Sequence, residues 1–328
     1  MRSQKPRGLI LTGGLDSNYS RISSVGVVGF ENCLVPDLPE ARFDHGSFMT
    51  ENDSLAVCGG WWDGKPWSSD CLVLNTTSKQ WQRGLLGNIL GNAVLGVVSL
   101  DVGTFMVHPR TSSFLPDGAQ NWTAGPTPSD EVQCAAGISA SSFLIFGGKS
   151  VRQYDSSKAG PSMGDEGWLP GGEWDDLRVE RRRPGCATIG ALCIVAGGRN
   201  HNDELLKSVE VIFLTSKSLG KAEDMMQPRD NFQLIALGTS LLALGGHNEK
   251  SIEMWEGEGE SWKEAPMGLA NPRSRFSALT SSIEVCSDGP LPPHSCPTVG
   301  GGTCVFPFEH GLSSNLLQIC YTDIFPRI

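Results

Sequence analysis

An apolar run ending in Gly-Gly recurs along this chain, and no other feature narrows its folding options as far. The run reads Leu9–Gly14, Leu55–Gly60, Phe143–Gly148, Leu192–Gly198 and Leu241–Gly246. The second glycines stand at 14, 60, 148, 198 and 246, so successive spacings are 46, 88, 50 and 48 residues. The long gap holds two units, and Gly103–Val107 is the apolar run of the unit that has lost its diglycine. Six units of one length are the mark of a repeat architecture, in which no unit buries its apolar surface alone.

Other landmarks keep step with the glycines. A second apolar stretch follows at Val25–Val28, Cys71–Leu74, Val151–Tyr154, Val209–Leu214 and Ile252–Trp255. Then comes a tryptophan: Trp81, Trp122, Trp168 or Trp174, and Trp262. Next is an arginine three places before an apolar or small residue, in Arg42/His45, Arg183/Cys186, Arg229/Phe232 and Arg273/Phe276, with Glu131/Cys134 in the fourth unit. This order resembles the kelch repeat and covers residues 8–285. The resemblance implies an all-β chain, a six-bladed kelch-type β-propeller with strands A to D in each blade from the axis outward. Radial stacking buries both faces of each blade and leaves only short edges, which makes inter-blade packing the expected place for Trp81, Trp122 and Trp262. The chain opens on a B strand, Leu9–Gly14, and its last repeat-like piece, Arg273–Ser281, reads as an A strand. These halves complete one blade, so a C-terminal A strand is expected to close the ring.

Composition limits the function classes. The formal charge is −10 and no long basic run is present, which argues against a nucleic-acid backbone as partner. The most membrane-like stretch, Leu86–Val107, contains Asn88, Asn92 and Asp101 and reads as two strands around a turn, so no membrane insertion is expected. Ten cysteines include no Cys-x-x-Cys pair and only six histidines accompany them; no metal site and no cofactor are expected. Disulfide candidates are Cys58 with Cys71 across the B–C hairpin, and Cys134 with Cys186 in adjacent A strands. Cys33 competes for the first pair, and Cys193 reads as a buried free thiol. Sequons begin at Asn18, Asn75 and Asn121. Cysteines and sequons together favour an extracellular setting. The first residues, Met1–Arg7, show no apolar leader, which leaves a cytoplasmic protein or an incomplete N-terminus as the alternatives.

Residues 286–328 depart from the repeat. Cys304-Val305-Phe306-Pro307-Phe308 resembles the opening of a fibronectin type II module, although the tryptophan and the two further cysteines of that module do not follow. That resemblance favours secretion.

No nucleophile elbow or phosphate-cradling loop occurs, and the acidic pairs Asp175/Asp176 and Asp203/Glu204 read as solvated loop residues. His201 and His247 follow diglycines of consecutive blades and read as loop residues too. The expected function is therefore non-enzymatic: a protein–protein interaction module. The alternative is a six-bladed carbohydrate-acting enzyme such as a sialic-acid mutarotase, a group within the kelch propellers. In a propeller the B–C and D–A connections share one face, and here they hold the longest loops and the recurrent arginines. Trp61, Trp67, Arg199, Arg229 and Arg273 are the expected contributors to binding a protein or peptide, an acidic one suiting the arginines. A glycan on Asn18 would shield the part of this face on the first blade.

Overall fold

The computed structural model describes residues 7–28, 35–62, 68–75, 77–91, 93–160, 163–257 and 259–282. Trp67, Cys33 and the tail from 286 onward lie outside the described residues. The chain enters on β1 (Arg7–Thr12) and β2 (Val25–Val28), then forms β3 (Arg42–Phe43), β4 (Gly46–Met49), β5 (Leu55–Cys58), β6 (Trp61–Trp62), β7 (Cys71–Asn75) and β8 (Gln80–Arg83). β4-β5-β7-β8 is the second blade, and β6 pairs with β3 beside it. The third blade is β9 (Gly96–Leu100), β10 (Gly103–Val107), β11 (Ser112–Pro116) and β12 (Thr123–Ala124). The fourth is β13 (Cys134–Gly137), β14 (Ser142–Gly147) and β15 (Ser150–Asp155), extended outward by a bridge between Tyr154 and Trp168. The fifth is β16 (Gly185–Ile189), β17 (Leu192–Ala196), β18 (Val209–Phe213) and β19 (Ser218–Lys221). The sixth is β20 (Gln233–Leu237), β21 (Ser240–Leu244), β22 (Ser251–Trp255) and β23 (Lys263–Gly268).

The last strand, β24 (Ser277–Ser282), returns to β1 in antiparallel register, Leu9 facing Thr280 and Thr12 facing Ser277. The first blade is thus β24-β1-β2, and the C-terminal strand closes a six-bladed β-propeller. The inner strands follow one another round the axis as β24, β4, β9, β13, β16 and β20, and β20 meets β24 again. Their inner surfaces line a cavity of ≈ 710 Å³.

Apolar clusters fill the spaces between blades. Phe48, Ala56 and Val73 of the second blade meet Met106, Leu115 and Trp122 of the third. Val211 and Ile194 of the fifth meet Leu241 and Trp255 of the sixth, with Trp262 stacked on Trp255. Each of the larger aliphatic and phenyl side chains contributes about 1.5–3 kcal/mol by burial, so stability is spread round the ring.

The diglycines have a steric cause. A Cβ on Gly13 would lie 2.3 Å from the Arg42 carbonyl oxygen, and one on Gly197 would lie 2.5 Å from that of Arg229. The second glycine of each pair donates its N–H to the same oxygen, Gly14 to Arg42 at 2.6 Å and Gly198 to Arg229 at 2.7 Å. Both first glycines adopt positive φ, the region where a side chain is strained. The repeat therefore marks where the backbone of the next blade docks.

Candidate functional site

The arginines whose carbonyls dock on the diglycines turn their side chains inward. Arg229 is 1% exposed. Its Nη1 donates to the carbonyls of Gly245 (2.7 Å) and Ser251 (3.1 Å), and Nη2 meets Glu253 at 2.8 Å. Arg181 repeats this geometry one blade earlier, donating to the Gly197 and Ser208 carbonyls and pairing with Glu210. Arg42 donates to the Gly59 carbonyl, and Arg273 to the Leu11 carbonyl and the Ser24 hydroxyl. Burial is the largest influence on the three that shift: it pushes Arg42 down to about 10 and lowers Arg181 and Arg273 as well.

This corrects the expectation for Arg229. Strand-end carbonyls of its own blade need a donor, so Arg229 is a buried clamp and not an exposed contact. Arg273 is half-buried in the same role. The register arginine of the fifth blade is Arg181 and not Arg183, because it stands four residues before the inner strand, as Arg42, Arg229 and Arg273 do.

What the face presents lies two residues beyond each clamp. Asp44, Arg183, Asn231 and Arg275 all take left-handed φ and surround one mouth of the central cavity. Their backbones form an arc: Asn231 N–H donates to Arg183 O, Arg275 N–H to Asn231 O, Asp44 N–H to Arg275 O, and Val94 N–H to Asp44 O. Side chains continue it. Arg183 donates to Asn231 Oδ1 at 2.8 Å, and Arg275 Nε to Asp44 Oδ1 at 2.8 Å. Arg183 is lowered, first by burial and then by the nearby Arg275.

Trp61 is half-buried on this face, edge-on to Phe43 with centroids 5.7 Å apart. Arg21 lies 5.9 Å from the Trp61 ring, and Arg275 lies 4.8 Å from the Phe43 ring. Aromatic rings and guanidinium groups thus alternate, a geometry that favours each cation. Arg199, at 27% exposure, is held by Asp230 at 2.7 Å and reaches Asp203; its hydrogen bond to Asp230 raises it.

Apolar exposure divides unevenly between the two faces. The exposed large hydrophobic residues among those described are Tyr19, Leu85, Leu90, Leu205 and Met226, and every one lies in a B–C or D–A connection. Tyr19 is 64% exposed, adopts φ 60°, and hydrogen-bonds His247 Nε2 at 3.1 Å. The opposite turns expose Glu51, Asp53, Asp101 and Asp117. Burial raises Asp117, and Glu51 and Asp101 add to the rise. Sequence reasoning missed Arg21, Asp44, Arg275 and Tyr19. Asp44 and Arg275 keep step with the clamps, but that position changes residue type from blade to blade; Arg21 falls outside the period, and an exposed tyrosine in a loop carries no pattern.

Two disulfides lie among the described residues. Cys58–Cys71 joins facing residues of β5 and β7, with Cα atoms 4.1 Å apart. Cys134–Cys186 joins the inner strands of the fourth and fifth blades, with Cα atoms 6.2 Å apart. Cys193 is a buried free thiol pushed up to about 12 by burial. Such bridges belong to an oxidising environment. Asn18 and Asn121 are exposed, whereas Asn75 Oδ1 accepts from the N–H groups of Thr77 and Ser78 in its turn. Among the described residues no group of three or more His, Cys, Asp or Glu side chains is arranged to hold a metal, and no helix is long and apolar enough to cross a membrane. No protein-family profile and no curated protein matches the chain.

Proposed function

We propose that this protein is a kelch-type propeller whose B–C/D–A face binds a protein partner, without catalysis, outside the cell. The observation that carries the reading is the one-sided exposure of Tyr19, Leu85, Leu90, Leu205 and Met226 in the B–C and D–A connections that also carry the Trp61–Phe43–Arg21–Arg275 stack. Aromatic and arginine side chains are the usual anchors of interfaces. Here the arginines are already fixed by carboxylates and rings, so docking costs little side-chain entropy. Arg21, Arg183 and Arg275 gather around the Trp61–Phe43 pair and the cavity mouth, so an acidic segment of the partner suits this part of the face.

Partner capture from native extracellular material tests the reading. Trp61→Ala is expected to weaken binding by about 30-fold, as an anchor worth roughly 2 kcal/mol would. Arg21→Glu is expected to slow association and to steepen its dependence on salt. Substitutions at Lys79 and Gln80, in an outer turn of the opposite face, serve as controls. Binding that survives at Trp61 and Arg21 but is lost at the controls places the interface on the wrong side. Arg183 and Arg275 at the cavity mouth also suit a small carboxylate, the substrate class of the mutarotase alternative. A thermal shift with sialic acid, in the absence of a captured protein, would favour that reading instead.

A further inference from the structure

We propose that the seam between the ring-closing blade and the second blade is an acid-operated latch, held by neutral His45 and released when that imidazole is protonated. The proposal stands on the packing at His45, independently of what the face binds. In the fifth and sixth blades a phenyl ring covers the first glycine of the diglycine: a Cβ on Gly197 would meet Phe232 Cε1 at 3.0 Å, and one on Gly245 would meet Phe276 Cε1 at 3.1 Å. At the seam His45 takes that slot, its Cε1 2.7 Å from the position of a Cβ on Gly13. The ring is 3% exposed. A residue that titrates has replaced one that cannot.

The imidazole also belongs to a hydrogen-bond chain that ends on the closing strand. Thr12 Oγ1 donates to the Ser277 carbonyl of β24 and lies 2.8 Å from His45 Nε2. With its proton spent there, Thr12 accepts from His45 Nε2–H, so the neutral tautomer carries its lone pair on Nδ1. Ser47 of β4 bonds the Ser277 hydroxyl through both its N–H and its Oγ. β1, β4 and β24 are thereby tied at one point.

Protonation would place a donor on Nδ1, which has no partner among the described residues. The surrounding charges make this worse. Arg42, on the same D–A connection, and Arg273, on the C-terminal segment, are the charges that act on His45, and both are positive. The carboxylates nearby are engaged: Glu40 and Asp70 with Arg42, and Asp44 with Arg275. Burial first and then Arg42 hold His45 down to about 3, against 6.5 when unfolded. The opened or unfolded chain therefore binds the extra proton as pH falls below about 6.5, and the closed seam's loss in its equilibrium steepens toward about tenfold per pH unit as pH falls further. Its full stability is present above that value. Among the described residues the other buried imidazole is His108 in the third blade, which burial lowers too, but both its nitrogens are engaged, by the Ala93 carbonyl and the Ser113 hydroxyl.

Hydrogen exchange read by mass spectrometry at pH 7, 6 and 5, corrected for intrinsic rates, tests this on the whole chain. Protection of β1 and β24 is expected to drop about threefold from pH 7 to 6 and about eightfold from pH 6 to 5, relative to β20–β22. His45→Phe, which installs the ring of the regular blades, is expected to remove that difference. Parallel loss in all blades, or an unchanged difference in His45→Phe, overturns the proposal. If the variant does not fold, an NMR titration of His45 in the unaltered protein decides. A ring that stays neutral until β1 and β24 lose protection supports the latch, and protonation with the seam intact sinks it.

Discussion

The fifth and sixth blades and the second and third solve one problem with different residues. In the regular pair a buried arginine clamps two strand-end carbonyls and meets a buried glutamate on the third strand: Arg181 with Glu210, and Arg229 with Glu253. In the second blade Leu72 occupies the glutamate position, and Arg42 turns to Asp70 and Glu40 near the surface. In the third blade the diglycine has become His108-Pro109, and the imidazole bonds Ser113, which stands where the glutamate would be. An arginine donor to the strand-end carbonyls thus persists in the second, fifth and sixth blades while its carboxylate partner changes, and the third blade replaces the whole arrangement with an imidazole. Ring closure puts an arginine in that role at the first blade, where Arg273 reaches across to Leu11 and Ser24.

The largest effect is expected from removing that last contact. A chain ending at Pro272 lacks both Arg273 and β24, leaving β1 with an unpaired edge and the sixth blade with an open face. Loss of a single cooperative unfolding transition, or aggregation, is the expected outcome in calorimetry and light scattering. A melt indistinguishable from that of the intact chain would mean that β24 does not close the ring.

Next comes the clamp of the regular blades. Arg229→Met leaves Glu253 charged and buried, and is expected to cost about 3–5 kcal/mol in denaturant unfolding. Replacing both partners with apolar residues of similar volume should cost much less, since neither desolvated charge then remains. If the single and double variants are equally destabilised, the carbonyl bonds to Gly245 and Ser251 matter more than the ion pair.

The disulfides rank close behind. Cys134–Cys186 spans 52 residues and Cys58–Cys71 spans 13, so on loop entropy their removal by paired alanine substitution should cost about 4 and about 3 kcal/mol. Equal losses, or a larger loss in the second blade, would show that local packing outweighs chain connectivity.

The architecture was legible because diglycines, second strands and closure all leave marks at a fixed spacing. The role of the arginines was not. Arg181 and Arg229 stand 29 and 24 residues before their glutamates, and only the pairing of the middle strands brings those carboxylates beneath them. A recurrent arginine before an inner strand looks the same in sequence whether it points to solvent or to a carbonyl. Trp61 stands out as an aromatic in a polar loop, but its partners Phe43 and Arg21 come from the connection that enters its own blade and from the first-blade loop. Arg275 joins the stack over Phe43 only once the C-terminal segment has closed the ring.

The smallest effect is expected in the fourth blade, where the comparison is sharpest. Aligned on the inner-strand register, Asp130 stands at the arginine position, and Arg152, facing Ile145, stands at the glutamate position. The pair is reversed in sign, 3.4 Å apart, with side chains 31% and 37% exposed. Water can reach both partners, so Asp130→Ala strands no buried charge. Its cost should stay below about 1 kcal/mol and shrink further in high salt. A double-mutant cycle with Arg152→Ala should return a coupling in that same small range. A cost approaching that of Arg229→Met would show that the reversed pair clamps its blade as firmly as the buried ones. Exposure would then have little to do with how much each clamp contributes, and sign alone would separate the fourth blade from the fifth and sixth.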